Sequence, residues 1–317
     1  MLQLLLGGSG SGKTTLLYQR IRTRAEKGEK SILLVPEQFT SSTEGRIYRE
    51  LGDALSGMVE SFSFTSLAEK ILSTEGGAAV QTLSDAGRAV LVRRALEELQ
   101  DNVHYYHRHR RSAAFCQMAA QTIDELKSAG LSGQQLAQLA GACGAESGKL
   151  SELALIFQGY ETLLARSGMD PSDRLELAGA RLEEALARHS LPEFLRDRAV
   201  FIDEFDTFNA PKKRLLGAML AALPSVTVAL CDDGAPLLPG DLSLFSGAKQ
   251  VAAQLRQLAR KNGAEVAVPQ LLRKDLRHRN APGLAAVAEL LETGSCTADA
   301  PAGEVRLFAA PSREEEA

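Results

Sequence analysis

The sequence contains no tryptophan, and aromatic residues make up only 5% of its 317 positions. Surfaces that grip a ligand mainly by stacking must therefore be sparse. Cysteine is also scarce: Cys116, Cys143, Cys231 and Cys296 lie far apart, with no C-x-x-C pair. That spacing speaks against a disulfide framework or a cysteine-held metal or iron–sulfur site. It reads as buried reduced thiols, with the cytoplasm as the natural compartment. No apolar run approaches about 18 residues, so no membrane span is expected. The net charge of −4 gives no global attraction for polyanions, and any nucleic-acid contact must be a local surface. The first residues already read as strand and glycine loop, so no signal peptide is expected.

What is present is a globular composition, 44% hydrophobic and 24% charged, long enough for one large or two ordinary domains. Its organising stretch is Gly7-Gly8-Ser9-Gly10-Ser11-Gly12-Lys13-Thr14-Thr15, which fits the phosphate-cradling P-loop G-x-x-x-x-G-K-[ST]. The context agrees. The apolar run Leu2 to Leu6 reads as a buried strand, and a helix-forming stretch from Lys13 to about Lys27 follows. Glycines let successive backbone N–H groups turn inward toward an anion. Lys13 then reaches the β- and γ-phosphates of ATP, and the Thr14 hydroxyl ligates Mg²⁺.

Downstream, Ser31 to Val35 reads as a second buried strand, a helix spans about Thr43 to Leu55, and Met58 to Phe64 alternates as a third strand. Ser66-Leu67-Ala68-Glu69 has the form of a capping box opening the next helix. From about Leu83 to Leu195 the spacing is helical throughout, with segments at 84–100, 112–129, 132–143, 149–167 and 171–189. Ser132 to Gln135 is a capping box, and Asp170-Pro171-Ser172-Asp173 joins a cap to a first-turn proline. Strands resume at Ala199 to Ile202 and Ser225 to Leu230, separated by a helix over Pro211 to Ala222. A helix from Gly247 to Lys261, a short strand at Glu265 to Val268, a helix near Leu284 to Leu291 and a strand at Val305 to Phe308 complete the pattern. The expected fold is α/β, a parallel sheet with an inserted all-helical subdomain, divided as 1–82, 83–196 and 197–317. Ser312 to Glu315 is a capping box with almost no helix behind it, from which we expect a piece of a longer protein.

Asp203-Glu204 ends a buried strand, the expected partner of a P-loop. Asp203 is placed to hold Mg²⁺ through water, and Glu204 to orient the water that attacks the γ-phosphate. Asp232-Asp233 ends another strand and is either a sensor of that phosphate or an ordinary loop. His104 to Arg111 mixes basic and aromatic residues and is either a nucleic-acid contact or a solvated loop or helix face. Phe39-Thr40 and Phe64-Thr65-Ser66 lie just past strand ends, where hydroxyls and rings meet phosphates and bases. Core packing is the alternative for both phenylalanines.

In this order the pieces resemble superfamily-one helicases of the UvrD type. Ser63 to Leu72 is similar to their "TFHSLA-x-x-IL" segment, and Ile202 to Asp206 to their "VDEFQD" strand end. The closer resemblance is to the AddB family, the smaller partners in bacterial AddAB helicase–nucleases. It is carried by Val35-Pro36-Glu37-Gln38, by Phe115 with Ile123 to Lys127 and Gly130, and by Tyr160 with Asp170 and Asp173 to Leu175. The resemblance implies a RecA-like P-loop NTPase fold, ATP and Mg²⁺ as cofactors, and single-stranded or duplex DNA as substrate. It also implies a larger AddA-type subunit as partner in a heterodimer that repairs double-strand breaks. An iron–sulfur cluster and the nuclease site are implied only for a C-terminal part that this sequence lacks. UvrD-type helicases carry an adenine-contacting glutamine before the P-loop, where only Met1 and five residues stand here, and Gly234-Ala235-Pro236 stands where another glutamine is expected. A degenerate motor that binds ATP but moves little along DNA is therefore expected. Because hydrolysis normally needs arginines from a second RecA-like domain, this piece is expected to turn ATP over poorly. A non-hydrolysing DNA-recognition scaffold and a P-loop small-molecule kinase are the rival functions.

Overall fold

The computed structural model describes every residue except 78, 80, 145–146, 296–304, 307–308 and 313–317. Six strands form one parallel sheet: β1 (Leu2–Gly7), β2 (Ser31–Leu34), β3 (Val59–Phe62), β4 (Ala199–Ile202), β5 (Ser225–Cys231) and β6 (Gln270–Leu272). Their spatial order is β3-β2-β4-β5-β1-β6, so β5 lies between the glycine-loop strand and the Asp203 strand. The helices before β4 are α1 (Lys13–Glu26), α2 (Thr40–Leu51), α3 (Asp53–Ser56), α4 (Phe64–Glu75), α5 (Asp85–Glu98), α6 (Ala113–Ser128), α7 (Gly133–Ala140), α8 (Ser147–Ser167) and α9 (Pro171–Ala187). Three follow it: α10 (Ala210–Ala222), α11 (Ser246–Lys261) and α12 (Pro282–Thr293). This is the α/β architecture of a RecA-like fold.

The strands read as continuous apolar runs because both sheet faces are covered. Leu2, Leu4 and Leu6 of β1 join Ile32, Leu34, Val226 and Val228 under α4, α9, α10 and α11. The intervening Leu5, Leu33 and Ala229 meet Leu17 and Ile21 of α1 and Ile47 and Leu51 of α2 on the other face. A separate core lies among α5, α6, α7 and α8, centred on Phe157 and Tyr160, with no strand among the described residues between α5 and α9.

A buried polar clasp ties these helices together. Lys127 Nζ donates to Asp170 and to Asp173, both at 2.7 Å, and the Tyr160 hydroxyl donates to Asp170 at 2.6 Å. Asp170 is 1% exposed. Its carboxylate makes no side-chain cap bond to α9, contrary to the sequence reading, because Lys127 and Tyr160 occupy it; Pro171 does stand in the first turn. The motif-like residues of α6, α8 and α9 are thus one structural knot.

Other boundaries moved for local reasons. Helix α4 begins three residues before the expected box: Ser63 Oγ accepts from the Ser66 N–H at 3.0 Å, and Ser66 Oγ from the Ser63 N–H at 2.8 Å. The helix expected over 43–55 is broken at Gly52, whose φ of +76° ends α2. The strand expected at Glu265–Val268 makes one isolated bridge, Leu2 to Val266, and named pairing starts only after Pro269, which has no N–H to offer. The expected strand at Val305 to Phe308 and the helix start at Ser312 to Glu315 lie partly outside the described residues. Cys296 lies outside them as well. Of the cysteines expected to be buried, Cys116 is, whereas Cys143 and Cys231 are exposed because they stand beyond α7 and at the end of β5, past the packed part of each element.

Candidate nucleotide-binding site

The glycine loop leaves β1 and enters α1 at the carboxyl edge of the sheet. Gly10 and Gly12 take φ of +79° and +88°, a conformation in which side chains are strained. Space is short as well: a Cβ on Gly7 would stand 2.6 Å from the Leu272 carbonyl oxygen. Lys13 folds back over the loop, donating from Nζ to the Gly7 and Gly8 carbonyls at 2.8 and 2.7 Å. Cys231 Sγ, at the end of β5, lies 3.4 Å from the same nitrogen.

Across the cleft, β4 delivers Asp203. Its buried carboxylate accepts from the Thr14 hydroxyl and, at 3.0 Å, from the Glu204 N–H. Burial pushes the Asp203 carboxyl above its ordinary range, against those bonds and the charges of Lys13 and Arg46. Glu204 follows with a left-handed φ of +64°, one of three non-glycine residues so placed among those described. That turn leaves its side chain exposed in the cleft while burial and the Asp203 charge raise its carboxyl too. Left-handed non-glycine residues are strained and concentrate where the site rather than the fold selects them.

Lys13, Thr14, Asp203 and Glu204 line one cavity of about 450 Å³, with Ser9, Gly10, Gly12 and Thr15 along its loop side. The structure therefore gathers the residues that sequence reasoning selected for phosphate, metal and water. Gly7, Gly8 and Ser11 lie behind the loop, facing a neighbouring cavity. Ser11 Oγ is buried there without a hydrogen-bond partner.

Two contributors had no sequence signal. Arg46 of α2 lines the cavity from the acidic side. The segment Asp275 to Arg277 straps the loop from above: the Leu276 N–H donates to the Gly10 carbonyl at 3.0 Å, and Arg277 Nη1 to Ser9 Oγ at 3.0 Å. A Cβ on Gly12 would meet Leu276 Cδ1 at 2.8 Å, so the glycine also makes room for the strap. Strap residues lie more than 260 positions from the loop they touch, beyond any local pattern.

Asp232 and Asp233 turn away from this cavity. Asp232 accepts the Gly234 N–H at 2.7 Å, and Asp233 pairs with the buried Lys249 at 3.2 Å. Both line the cavity behind the loop, which favours the ordinary-loop alternative. The His104 to Arg111 stretch is likewise fastened as a loop. The buried Glu152 carboxylate accepts the N–H groups of His104, Tyr105 and Tyr106, and the Tyr106 ring stacks on Phe115 at 5.3 Å.

The five residues expected to meet DNA are not gathered at one place. Phe64 is 3% exposed, with its ring against Phe205 and Phe208 at 5.2 and 6.0 Å, so its face is closed to a base. Ser66 is engaged in the α4 cap. Phe39 packs partly buried beside α1 and α2, and the Thr40 hydroxyl donates to the Glu37 carbonyl at 2.8 Å. Thr65, exposed, and Phe64, buried, both line an open groove of about 380 Å³, which continues from Glu204 past Gln38 to Thr207 and Lys212.

Among the described residues no helix is long and apolar enough to cross a membrane, and no three His, Cys, Asp or Glu side chains converge on a metal position. Comparison with known proteins supplies the family. The sequence pattern of the family described as "ADDB, N-terminal" matches residues 4–288. The B subunit of an ATP-dependent helicase/deoxyribonuclease from Desulforudis audaxviator is 34% identical over 99% of this chain and 27% of its own length. The proteins of the same name from Moorella thermoacetica and Symbiobacterium thermophilum are 32% and 31% identical, over 90% and 99% of this chain. The chain spans about a quarter of the length of these relatives. It belongs to the family of AddB N-terminal regions.

Proposed function

We propose that this chain is the nucleotide-binding, helicase-like module of an ATP-dependent helicase–deoxyribonuclease that repairs double-strand breaks. Within it, residues 83–196 act as a helical insertion between the two parts of the sheet domain, 1–82 and 197–317. The carrying observation is the convergence of Lys13, Thr14, Asp203 and Glu204 on one cavity, from elements almost two hundred positions apart. The donor set fits Mg²⁺: one hydroxyl and one carboxylate, both hard oxygens, leave the remaining positions to phosphate and water. Bound there, the ion would neutralise phosphate charge and align the terminal phosphoryl group.

The chain's own groups divide the work. N–H groups of the glycine loop and the start of α1 receive the phosphates. Lys13 exchanges two backbone carbonyls for phosphate oxygens. Glu204, exposed and held beside the cavity by its left-handed turn, orients water. Turnover also needs cationic groups from a second RecA-like domain, so this chain alone binds nucleotide and hydrolyses it slowly. The groove from Thr65 to Lys212 opens beside Glu204 and is the place for a single DNA strand, with the larger AddA-type subunit as partner. The rival, a scaffold that recognises DNA without nucleotide, is separated by titrating Mg²⁺-ATP into the chain by calorimetry. Saturable binding lost in Lys13→Ala is expected. Its absence, or its survival in that variant, would sink the nucleotide assignment.

A further inference from the structure

Arg46 lines the nucleotide cavity, yet neither the glycine loop nor the acidic strand end supplies it. It comes from the middle of α2, where Thr43 and Ile47 are buried, and these anchor the helix that carries it. Its guanidinium carbon stands 4.9 Å from the centre of the Tyr18 ring. That ring is only 5% exposed, so the guanidinium rests on a rigid aromatic floor built by α1. Asp203 and Glu204 both feel its positive charge without closing an ion pair with it. Glu50, one turn further along the same helix, acts electrostatically on the same Tyr18. The other cavity arginine is differently placed, since Arg277 already holds Ser9 on the opposite rim.

We propose that Arg46 is the chain's own cationic contact for the terminal phosphate of a bound nucleoside triphosphate. The inference rests on the nucleotide-binding reading and adds to it the group that tells a triphosphate from a diphosphate. Phosphates cradled by the glycine loop are gripped by Lys13 and by the N–H groups opening α1, whatever their number. A third phosphate extends toward the Thr14–Asp203–Glu204 wall, where a metal and an attacking water belong. Arg46 is the cation on that wall. A guanidinium presents paired donors that match two phosphate oxygens at once, and its stacking on Tyr18 fixes the direction of that fork. A diphosphate stops short of it.

The test is calorimetric titration of the chain, and of the full-length protein that contains it, with Mg²⁺-ADP and a non-hydrolysable Mg²⁺-ATP analogue. Arg46→Gln keeps a polar arm but removes the charge and the guanidinium that rests on Tyr18; Arg46→Lys keeps the charge and removes the fork. With unchanged thermal unfolding, Arg46→Gln should weaken the triphosphate about tenfold and the diphosphate less than about twofold. Arg46→Lys should recover only part of that loss. Equal weakening of both nucleotides, or none of either, would overturn the role of Arg46 while leaving the nucleotide site intact. Failure of the unaltered chain to bind either nucleotide would overturn the site and the Arg46 role together.

Discussion

The cavity beside the glycine loop and the helical clasp are both clusters of charge around a buried aspartate, and they differ in how their valences are used. In the clasp, Asp170 accepts from Lys127 and from Tyr160, and Asp173 accepts from the same ammonium. Every charge there faces a group of the chain. In the cavity, Asp203 keeps part of its carboxylate toward open space, Glu204 is held exposed by a left-handed turn, and Arg46 rests on a ring instead of a carboxylate. A satisfied network holds elements together, whereas an unsatisfied one facing a cavity is arranged for something that arrives later.

The comparison breaks most visibly at Lys127. Lys127→Met leaves the Asp170 carboxylate buried without its cation and should lower the unfolding free energy by about 3–5 kcal/mol. Denaturant titration measures this, and a change below about 1 kcal/mol would mean that the clasp is decoration. Lys13→Ala is the mirror case. Unfolding should shift by less than about 1 kcal/mol, since the Gly7 carbonyl left by Lys13 still accepts from the Asp232 N–H and Gly8 is only partly buried, while Mg²⁺-ATP affinity falls roughly a hundredfold.

A third experiment uses pH. Burial raises the carboxyls of Asp203 and Glu204 above their unfolded values, so near and just above the ordinary carboxylate range the folded chain binds more protons than the unfolded one. Their contribution to stability therefore falls as pH rises through that range. Asp203→Asn retains an acceptor for Thr14 and Glu204 without the charge. It should unfold later than the unaltered chain at pH 7, show a flatter dependence on pH between about 5 and 7, and lose the Mg²⁺ dependence of nucleotide binding. Earlier unfolding of this variant at pH 7 would show that the charge is needed by the fold. The smallest effect is chemical. Cys231 is exposed at the cavity and Cys143 is exposed far from it. Bound Mg²⁺-ATP should slow alkylation of Cys231 several-fold, read by peptide mass, and leave Cys143 unchanged.

What the sequence disclosed of this contrast follows from distance along the chain. The glycine loop is contiguous, its strand and helix adjoin it, and Asp203 ends an apolar run, so each carries a local pattern. Arg46 is one of two arginines on a polar helix, and nothing local distinguishes it from Arg49. The strap is legible only once β6 is laid beside β1, which brings Asp275 to Arg277 over Gly10 and Gly12. For Phe64 the local pattern leaves ligand contact and core packing both open. Its position past a strand end matches a ligand loop, but Ser63 caps the helix earlier than expected and turns the ring into the core. Likewise, Asp170 has the sequence of a cap and the job of an anchor, because Lys127 arrives from a helix that no local rule brings near.

The place of β5 between β1 and β4 has a metric consequence. Parallel strands keep a spacing of about 4.8 Å, so the glycine-loop strand and the Asp203 strand stand about two spacings, or roughly 10 Å, apart. That gap is set by two ladders of backbone hydrogen bonds and is independent of side-chain size. Repacking the core beneath can loosen or tighten the whole sheet, but it cannot shorten this ruler. Adjustment of the site to its ligand is left to the parts that hang beyond the strand ends: Lys13, the strap, Glu204 and Arg46.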